Sequence, residues 1–238
     1  MQQPNTDFVP EMKKYGRDRV IIGHMLQMTS GMAFTENYYS PFSSAVRFYC
    51  GRHLVRYALK LKLNGEPGGK WEYVRGDTQL LGILLQRAMR AKGDQRSVTQ
   101  YRHDRIWGPL GMEYSSSWSM DRKSDGIEKA FCCIYTPVRP FAKLGSLYLR
   151  NSSWRGQQLV PEQWVRTSTV ASTEHNGASW YRCQRWLPTN EGDLVAVGFR
   201  GQYIYADLKR DLMMVRVSSS KAGLDRVGVF RSLAHGYE

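Results

Sequence analysis

The periodicity of this chain changes once, and that change restricts its fold more than any other feature. Through the middle, apolar residues recur at helical spacing. Gln79 to Ala91 (QLLGILLQRAMRA) is the clearest case, with Asp77 or Thr78 placed to cap its start. Ile22 to Met28 predicts a short helix stopped by Thr29-Ser30-Gly31, and Asp94 to Trp107 predicts another, ended by Gly108-Pro109. Thr136-Pro137 opens a helix to about Arg150, with Thr as cap and Pro in the first turn, and Pro161 starts a shorter one. From Trp180 onward the pattern is strand-like: Trp180 to Leu187, Gln202 to Asp207 and Leu212 to Ser218. The turn Asp207-Leu208-Lys209-Arg210-Asp211 joins the last two as a hairpin. Lys129 to Tyr135 is an earlier buried strand, and a final helix spans about Leu224 to Ala234. This order describes an α+β fold, an antiparallel sheet flanked by helices, and excludes a repeating βαβ array. No repeat or linker divides the chain, so residues 1–238 are expected to form one domain.

Composition removes several function classes. No apolar run approaches the roughly 18 residues of a membrane helix, so no membrane span is expected. The opening Met1 to Asp7 lacks the basic-then-apolar order of a signal peptide, which leaves localisation open, cytoplasmic by default. The formal charge of +13 would attract anions such as nucleic acid. No DNA- or RNA-binding motif accompanies it, and the densest cluster, Arg87, Arg90 and Lys92, suits the C-terminal end of a helix. No nucleic-acid partner is expected, and a basic nucleic-acid-binding protein stands as an alternative reading only. The cysteines, with Cys50 and Cys183 isolated and Cys132-Cys133 adjacent, form no C-x-x-C, and the five histidines lack ligand spacing. They are read as plain thiols, with no metal site.

Generic catalytic motifs are absent or misplaced. Gly65-Glu-Pro-Gly-Gly-Lys70 approaches a phosphate loop, but Trp71 replaces the Ser or Thr that would hold magnesium, so it reads as a turn. No G-x-S-x-G elbow occurs. One Ser-x-x-Lys exists, Ser218-Ser219-Ser220-Lys221. It follows a strand and leads into a turn, where the one-helical-turn spacing that lets Lys deprotonate Ser is lost.

A set of phrases in fixed order is more specific. His24-Met-Leu-Gln-Met-Thr-Ser-Gly31 is followed by Trp71-Glu-Tyr73-Val-Arg-Gly-Asp-Thr-Gln-Leu-Leu-Gly82 and Ile106-Trp-Gly-Pro-Leu-Gly-Met112. Phe141-Ala-Lys-Leu-Gly145 and Gly198-Phe-Arg-Gly-Gln-Tyr-Ile-Tyr205 complete the series. Together, from about Phe8 to Val217, they resemble the serine β-lactamase and penicillin-binding-protein superfamily. The branch is that of the class C β-lactamase-related esterases and amidases, including 6-aminohexanoate-oligomer hydrolases. The resemblance implies a β-lactamase/transpeptidase-like fold and a hydrolase that opens amide or ester bonds through an acyl-enzyme. Its partner would be a small-molecule or peptide substrate, and no metal or organic cofactor is implied.

The resemblance also implies roles. Tyr73 matches the Tyr of a Tyr-x-Asn or Tyr-x-Ser element, whose phenol moves protons to and from the nucleophile; the third position is Arg75, a departure. Phe199-Arg200-Gly201 stands where a Lys-Thr-Gly or His-x-Gly strand lines the cleft. There Gly201 would let the acyl group approach, the Gln202 N–H would serve the oxyanion hole, and Arg200 would bind a substrate carboxylate. Phe199 cannot supply the charge of a Lys. The Ser-x-x-Lys of the family belongs well before His24, yet no serine occurs in the first 28 residues. The chain is therefore expected to lack its N-terminal strands and nucleophile helix, to leave a sheet edge unpaired, and not to acylate as written. A pseudoenzyme that binds cell-wall peptides or similar ligands is the alternative from another class.

Overall fold

The computed structural model describes residues 1–220 and 223–237. They divide into two compact units. The first comprises Met1–Arg102, Ser117–Tyr135 and Thr173–Ala178; the second comprises His103–Ser116, Thr136–Ser172 and the described part of 179–238.

In the first unit, three short 3-10 turns lead into helices α1 (Ile22–Leu26), α2 (Ser44–Cys50), α3 (Leu54–Leu59), α4 (Arg75–Ala91) and α5 (Val98–Arg102). Helix α4 is the centre of this unit. Its buried positions Gly76, Gln79, Leu80, Ile83 and Leu84 follow the i, i+3, i+4 spacing read from the sequence. The helix starts earlier than Gln79, however. Val74 is its N-cap without a side-chain cap, so Asp77 and Thr78 do not cap it, and Asp77 is buried inside the first turn. Buried Gln79 is satisfied on both ends of its amide: it donates to the Glu128 carbonyl (3.1 Å) and accepts from the Ala130 N–H (2.9 Å). Asp121 accepts the N–H groups of Leu54 and Ile127, each at 2.9 Å, which fixes the start of α3.

Arg17 ties the N-terminal turns to this core. It is 3% exposed, and its guanidinium donates to the carbonyls of Lys14 (2.9 Å), Glu11 (3.0 Å), Leu61 (3.1 Å) and Leu59. Burial holds its pKa below the usual guanidinium value.

The expected strand at 129–135 shrinks to a two-residue ladder, β1 (Ser117–Trp118) with β2 (Ile134–Tyr135). The reason is local: Cys132 and Cys133 are joined by a disulfide, and Cys133 takes φ +72°, which breaks extended backbone. This pair therefore corrects the reading of four plain thiols; Cys50 and Cys183 are free. Helices α2 and α3, not anticipated from the sequence, are short and rich in β-branched or aromatic residues, which blurs a helical period.

In the second unit, a π-helical turn (His103–Trp107) precedes α6 (Val138–Leu149). The hairpin β3 (Ser153–Trp154) with β4 (Gln157–Gln158) and α7 (Glu162–Thr169) follow. Strands β5 (Tyr181–Arg182), β6 (Arg185–Trp186), β7 (Asp193–Gly198), β8 (Gln202–Asp207) and β9 (Leu212–Arg216) then form an antiparallel sheet in sequential order, and α8 (Arg226–His235) ends the unit. The period-two pattern separates two faces. On one, Val195, Tyr205, Leu212 and Met214 pack with Phe230 and Ala234 of α8. On the other, Leu194, Ala206 and Met213 pack with Tyr148 and Leu149 of α6. Gly145 permits the close approach of α6: a Cβ there would lie 2.5 Å from Met213 Cε and 2.8 Å from Ile204 Cγ2.

The antiparallel sheet flanked by helices agrees with the sequence reading. Two details differ. The strand expected over 180–187 is a hairpin, because Cys183 (φ +48°) and Gln184 (φ +69°) form a two-residue turn. Pro137, not Thr136, is the N-cap of α6, and the Thr136 hydroxyl bonds the Ser115 carbonyl instead (3.3 Å). Among the described residues, β9 pairs with β8 alone.

Candidate functional site

Tyr73 lies in the first unit, two residues ahead of α4, at the end of an extended segment. Its ring is half-buried, and burial, reinforced by neighbouring Tyr49, pushes the phenol pKa up. The Arg75 guanidinium stacks over two aromatic faces, 5.4 Å from the Tyr73 centroid and 4.9 Å from that of Tyr38. Glu36 holds it there. This carboxylate accepts the Arg75 backbone N–H (3.1 Å) and forms an ion pair with its guanidinium, and the Tyr38 hydroxyl donates to it (3.3 Å).

The position that departs from the family pattern is thus filled by a structural cation. Arg75 and Glu36 side chains are only 17% and 28% exposed, and burial lowers the Arg75 pKa from its ordinary value. Behind them Tyr38 and Tyr49 meet edge to face (5.8 Å), and Tyr49 meets Phe131 likewise (5.1 Å). Burial and the nearby phenols push Tyr38 up as well. Glu36, Tyr38 and Tyr49 were not singled out from sequence. They come from the 36–49 segment, which carries no motif, and only the fold brings them to residue 73.

Arg200, Gly201 and Gln202 lie together in the second unit, where a three-residue turn joins β7 to β8 and Gly198 faces Gln202. Arg200 (φ +61°) and Gly201 (φ +81°) are both left-handed. At Gly201 glycine is required twice over, since a Cβ would also lie 2.6 Å from Arg216 Nη1 and 3.0 Å from the Ser220 carbonyl oxygen. Arg216 donates to the Gly201 carbonyl (2.5 Å) and so pins the turn. The Gln202 side chain is committed to structure: its amide donates to the Ser218 carbonyl (2.5 Å) and accepts the Ser218 N–H (3.0 Å). The Arg200 side chain is exposed, its guanidinium 5.7 Å from the Phe199 ring.

Ser218 is a strand-end residue. Its hydroxyl accepts from Arg216 (2.9 Å) and donates to the Ser220 carbonyl (3.0 Å). Lys221 of the literal Ser-x-x-Lys lies outside the described residues. Among the described residues no group of three or more His, Cys, Asp or Glu could hold a metal ion, and no helix is long and apolar enough to cross a membrane.

A sheet packed between helices, a tyrosine leading into a long helix, and a glycine turn between two sheet strands define a fold of the serine β-lactamase and transpeptidase class. The family model described as Beta-lactamase matches residues 1–125, more than half of the chain, and the chain belongs to that family. The 6-aminohexanoate-dimer hydrolase of Paenarthrobacter ureafaciens is 23% identical over 91% of this chain and 59% of its own length. A Bacillus anthracis structure, named as a candidate 6-aminohexanoate-dimer hydrolase, superimposes with a TM-score of 0.82 at 19% identity, over 98% of this chain and 64% of that one. A class C β-lactamase variant gives 0.63 at 13% identity, over 100% and 75%. The chain thus spans about three-fifths of the length of the first two relatives.

Proposed function

We propose that residues 1–238 carry the proton-transfer and carbonyl-binding parts of a serine hydrolase that opens amide or ester bonds through an acyl-enzyme. The observation that carries the reading is Tyr73. It stands at the entry to α4, where the family places its catalytic phenol, with its ring held by the Arg75–Glu36 pair. In the reaction a serine hydroxyl adds to the carbonyl, its proton passes to a base, and the leaving amine or alcohol takes up a proton as the acyl-enzyme forms; water then reverses the sequence. Tyr73 carries protons between the nucleophile and the leaving group. Gly201 lets the acyl group approach, the Gln202 N–H donates to the oxyanion, and exposed Arg200 receives a substrate carboxylate. On this reading residues 1–238 by themselves do not acylate, because the one Ser-x-x-Lys serine, Ser218, follows the Tyr73 and Gly201 elements instead of preceding them.

Titration of the chain with the 6-aminohexanoate dimer, an amide bearing a carboxylate, tests this reading alongside intact-mass analysis after a fluorophosphonate probe. Saturable binding that weakens about tenfold in Arg200→Gln, with no mass increment, is the expected result. Absence of saturable binding removes the substrate site, and an adduct abolished by Ser218→Ala reassigns the nucleophile.

A further inference from the structure

Between Glu36 and Glu66 the chain contains no acidic residue, yet it carries Arg47, Arg52, Arg56, Lys60 and Lys62. Helices α2 and α3 fold this stretch around a cavity of about 360 Å³, lined by Ser44, Arg47, Phe48, Arg56, Tyr57, Lys60 and Leu61. That volume is at the lower end of cavities that hold small molecules. Three of the lining residues are cations and none is an acid. Arg47, Arg56 and Lys60 are exposed, and none forms an ion pair among the described residues; Arg47 only stacks on Tyr57, at 5.8 Å. Arg56 and Lys60, four residues apart at the end of α3, share one face and repel each other.

A second cavity, which Arg56 also lines, shows the contrast. It measures about 370 Å³ and contains Glu11, Asp121 and Asp125. There Glu11 is already paired with Arg87 (2.7 and 2.8 Å), and Asp121 is taken by backbone N–H groups. Of the two, the first joins a cationic rim without acids to an apolar floor, in which Phe48 is buried and Tyr57 and Leu61 are half-buried.

We propose that the cavity between α2 and α3 binds a phosphomonoester carried on an apolar or aromatic body. A phosphomonoester bears close to two negative charges at neutral pH, where a carboxylate bears one, and so matches a rim of three cations better. Two guanidinium groups offer paired donors to its oxygens, the ammonium group adds a point charge, and the Ser44 hydroxyl adds a further donor. The organic body stacks on Tyr57 and covers Phe48 and Leu61. The site is independent of Tyr73 and of the hydrolase reading.

Phenyl phosphate, titrated into the 238-residue chain by calorimetry with parallel NMR shift mapping, tests the assignment. Saturable one-to-one binding is expected, with shifts at Ser44 and Tyr57, and it weakens at least about tenfold in Arg56→Gln/Lys60→Gln. Arg52→Gln, which removes one charge of the same stretch but does not line the cavity, changes binding less than about twofold. Phosphatidylcholine vesicles with and without phosphatidic acid identify the source. Retention on phosphatidic acid that the double variant loses marks a lipid headgroup, whereas phenyl phosphate binding alone marks a soluble phosphomonoester. No saturable binding of phenyl phosphate, or equal weakening by Arg52→Gln and the double variant, overturns the proposal in favour of a diffuse field.

Discussion

Replacing Asp77 by Asn should make the protein progressively more stable relative to wild type as pH rises above about 4. Asp77 is fully buried in the first turn of α4, and neither carboxyl oxygen has a well-formed hydrogen bond among the described residues. The Ser30 hydroxyl and the helix N-terminus both favour the charged form, the helix end by only about 0.3–1 kcal/mol. Removing a carboxylate from water costs several kcal/mol, so burial wins and the folded pKa stands well above the ordinary value. Below about pH 3.9 Asp77 is protonated in both states and costs nothing. Above it the unfolded chain ionises while the folded one does not, and stability falls by about 1.4 kcal/mol per pH unit until the folded pKa is reached. Asn has no such dependence, and any packing mismatch of its amide adds a constant offset that leaves the slope untouched. Urea unfolding followed by tryptophan fluorescence, run on both proteins at about pH 5 and 6, gives the comparison directly. The stability difference should grow between those two values, by at most about 1.4 kcal/mol. Parallel pH profiles would refute the claim that this carboxyl is neutral in the native state.

Three further outcomes follow from the same physics. Gly201→Ala should lose about 1–3 kcal/mol in a denaturant titration, because φ is +81° and the added Cβ meets Arg216 and the Ser220 carbonyl; unchanged stability would contradict the turn geometry. Arg17→Met should cost about 3–5 kcal/mol, since the guanidinium satisfies four carbonyls that a thioether cannot, and a loss below about 1 kcal/mol would show that water replaces it. Under native, non-reducing conditions iodoacetamide should modify exposed Cys50 quickly and buried Cys183 slowly, with Cys132 and Cys133 reacting only after reduction. Rapid labelling of Cys132 or Cys133 without reductant, read by peptide mass, would show that the bridge is not formed.

The sequence disclosed those parts of the fold in which one period persists. Helix α4 was legible because its buried positions repeat over several turns, α6 because Thr136-Pro137 marks its start, and the β8–β9 hairpin because a polar turn separates two apolar runs. What escaped depends on backbone states that composition does not announce. The turn at Cys183-Gln184 adopts positive φ twice without the Asn or Gly that signals such a turn, so two strands read as one. Strand β7 was hidden because its end coincides with the Gly198 phrase. The Cys132–Cys133 bridge interrupts what reads as an apolar strand. Among candidate site residues, Tyr73 and the 200–202 turn were marked by family phrases, while Glu36, Tyr38 and Tyr49 were not, because contacts across 24 to 39 residues of sequence exist only after folding.

The two groups of proposed site residues are held by different physical means, and this bears on their chemistry. The 200–202 turn is fixed by backbone conformation: left-handed residues, a pinned Gly201 carbonyl and a Gln202 side-chain amide spent on Ser218 leave its main chain and the exposed Arg200 side chain as the parts open to a substrate. Tyr73 is fixed by side chains, and the same packing decides its proton affinity. Burial raises the phenol pKa. Arg75, the cation stacked on its face, is already paired with Glu36 and so offers little compensation. A phenol in that setting holds its proton at neutral pH, which favours donation to a departing amine or alkoxide over service as the initial base. Loosening the Arg75–Glu36 pair would free positive charge for the ring and shift the balance toward phenolate. Glu36→Gln should therefore lower the Tyr73 pKa, measured by NMR titration of ring-labelled tyrosine, whereas Arg75→Gln should not. A pKa that moves equally in both variants would mean that the pair only packs against the ring.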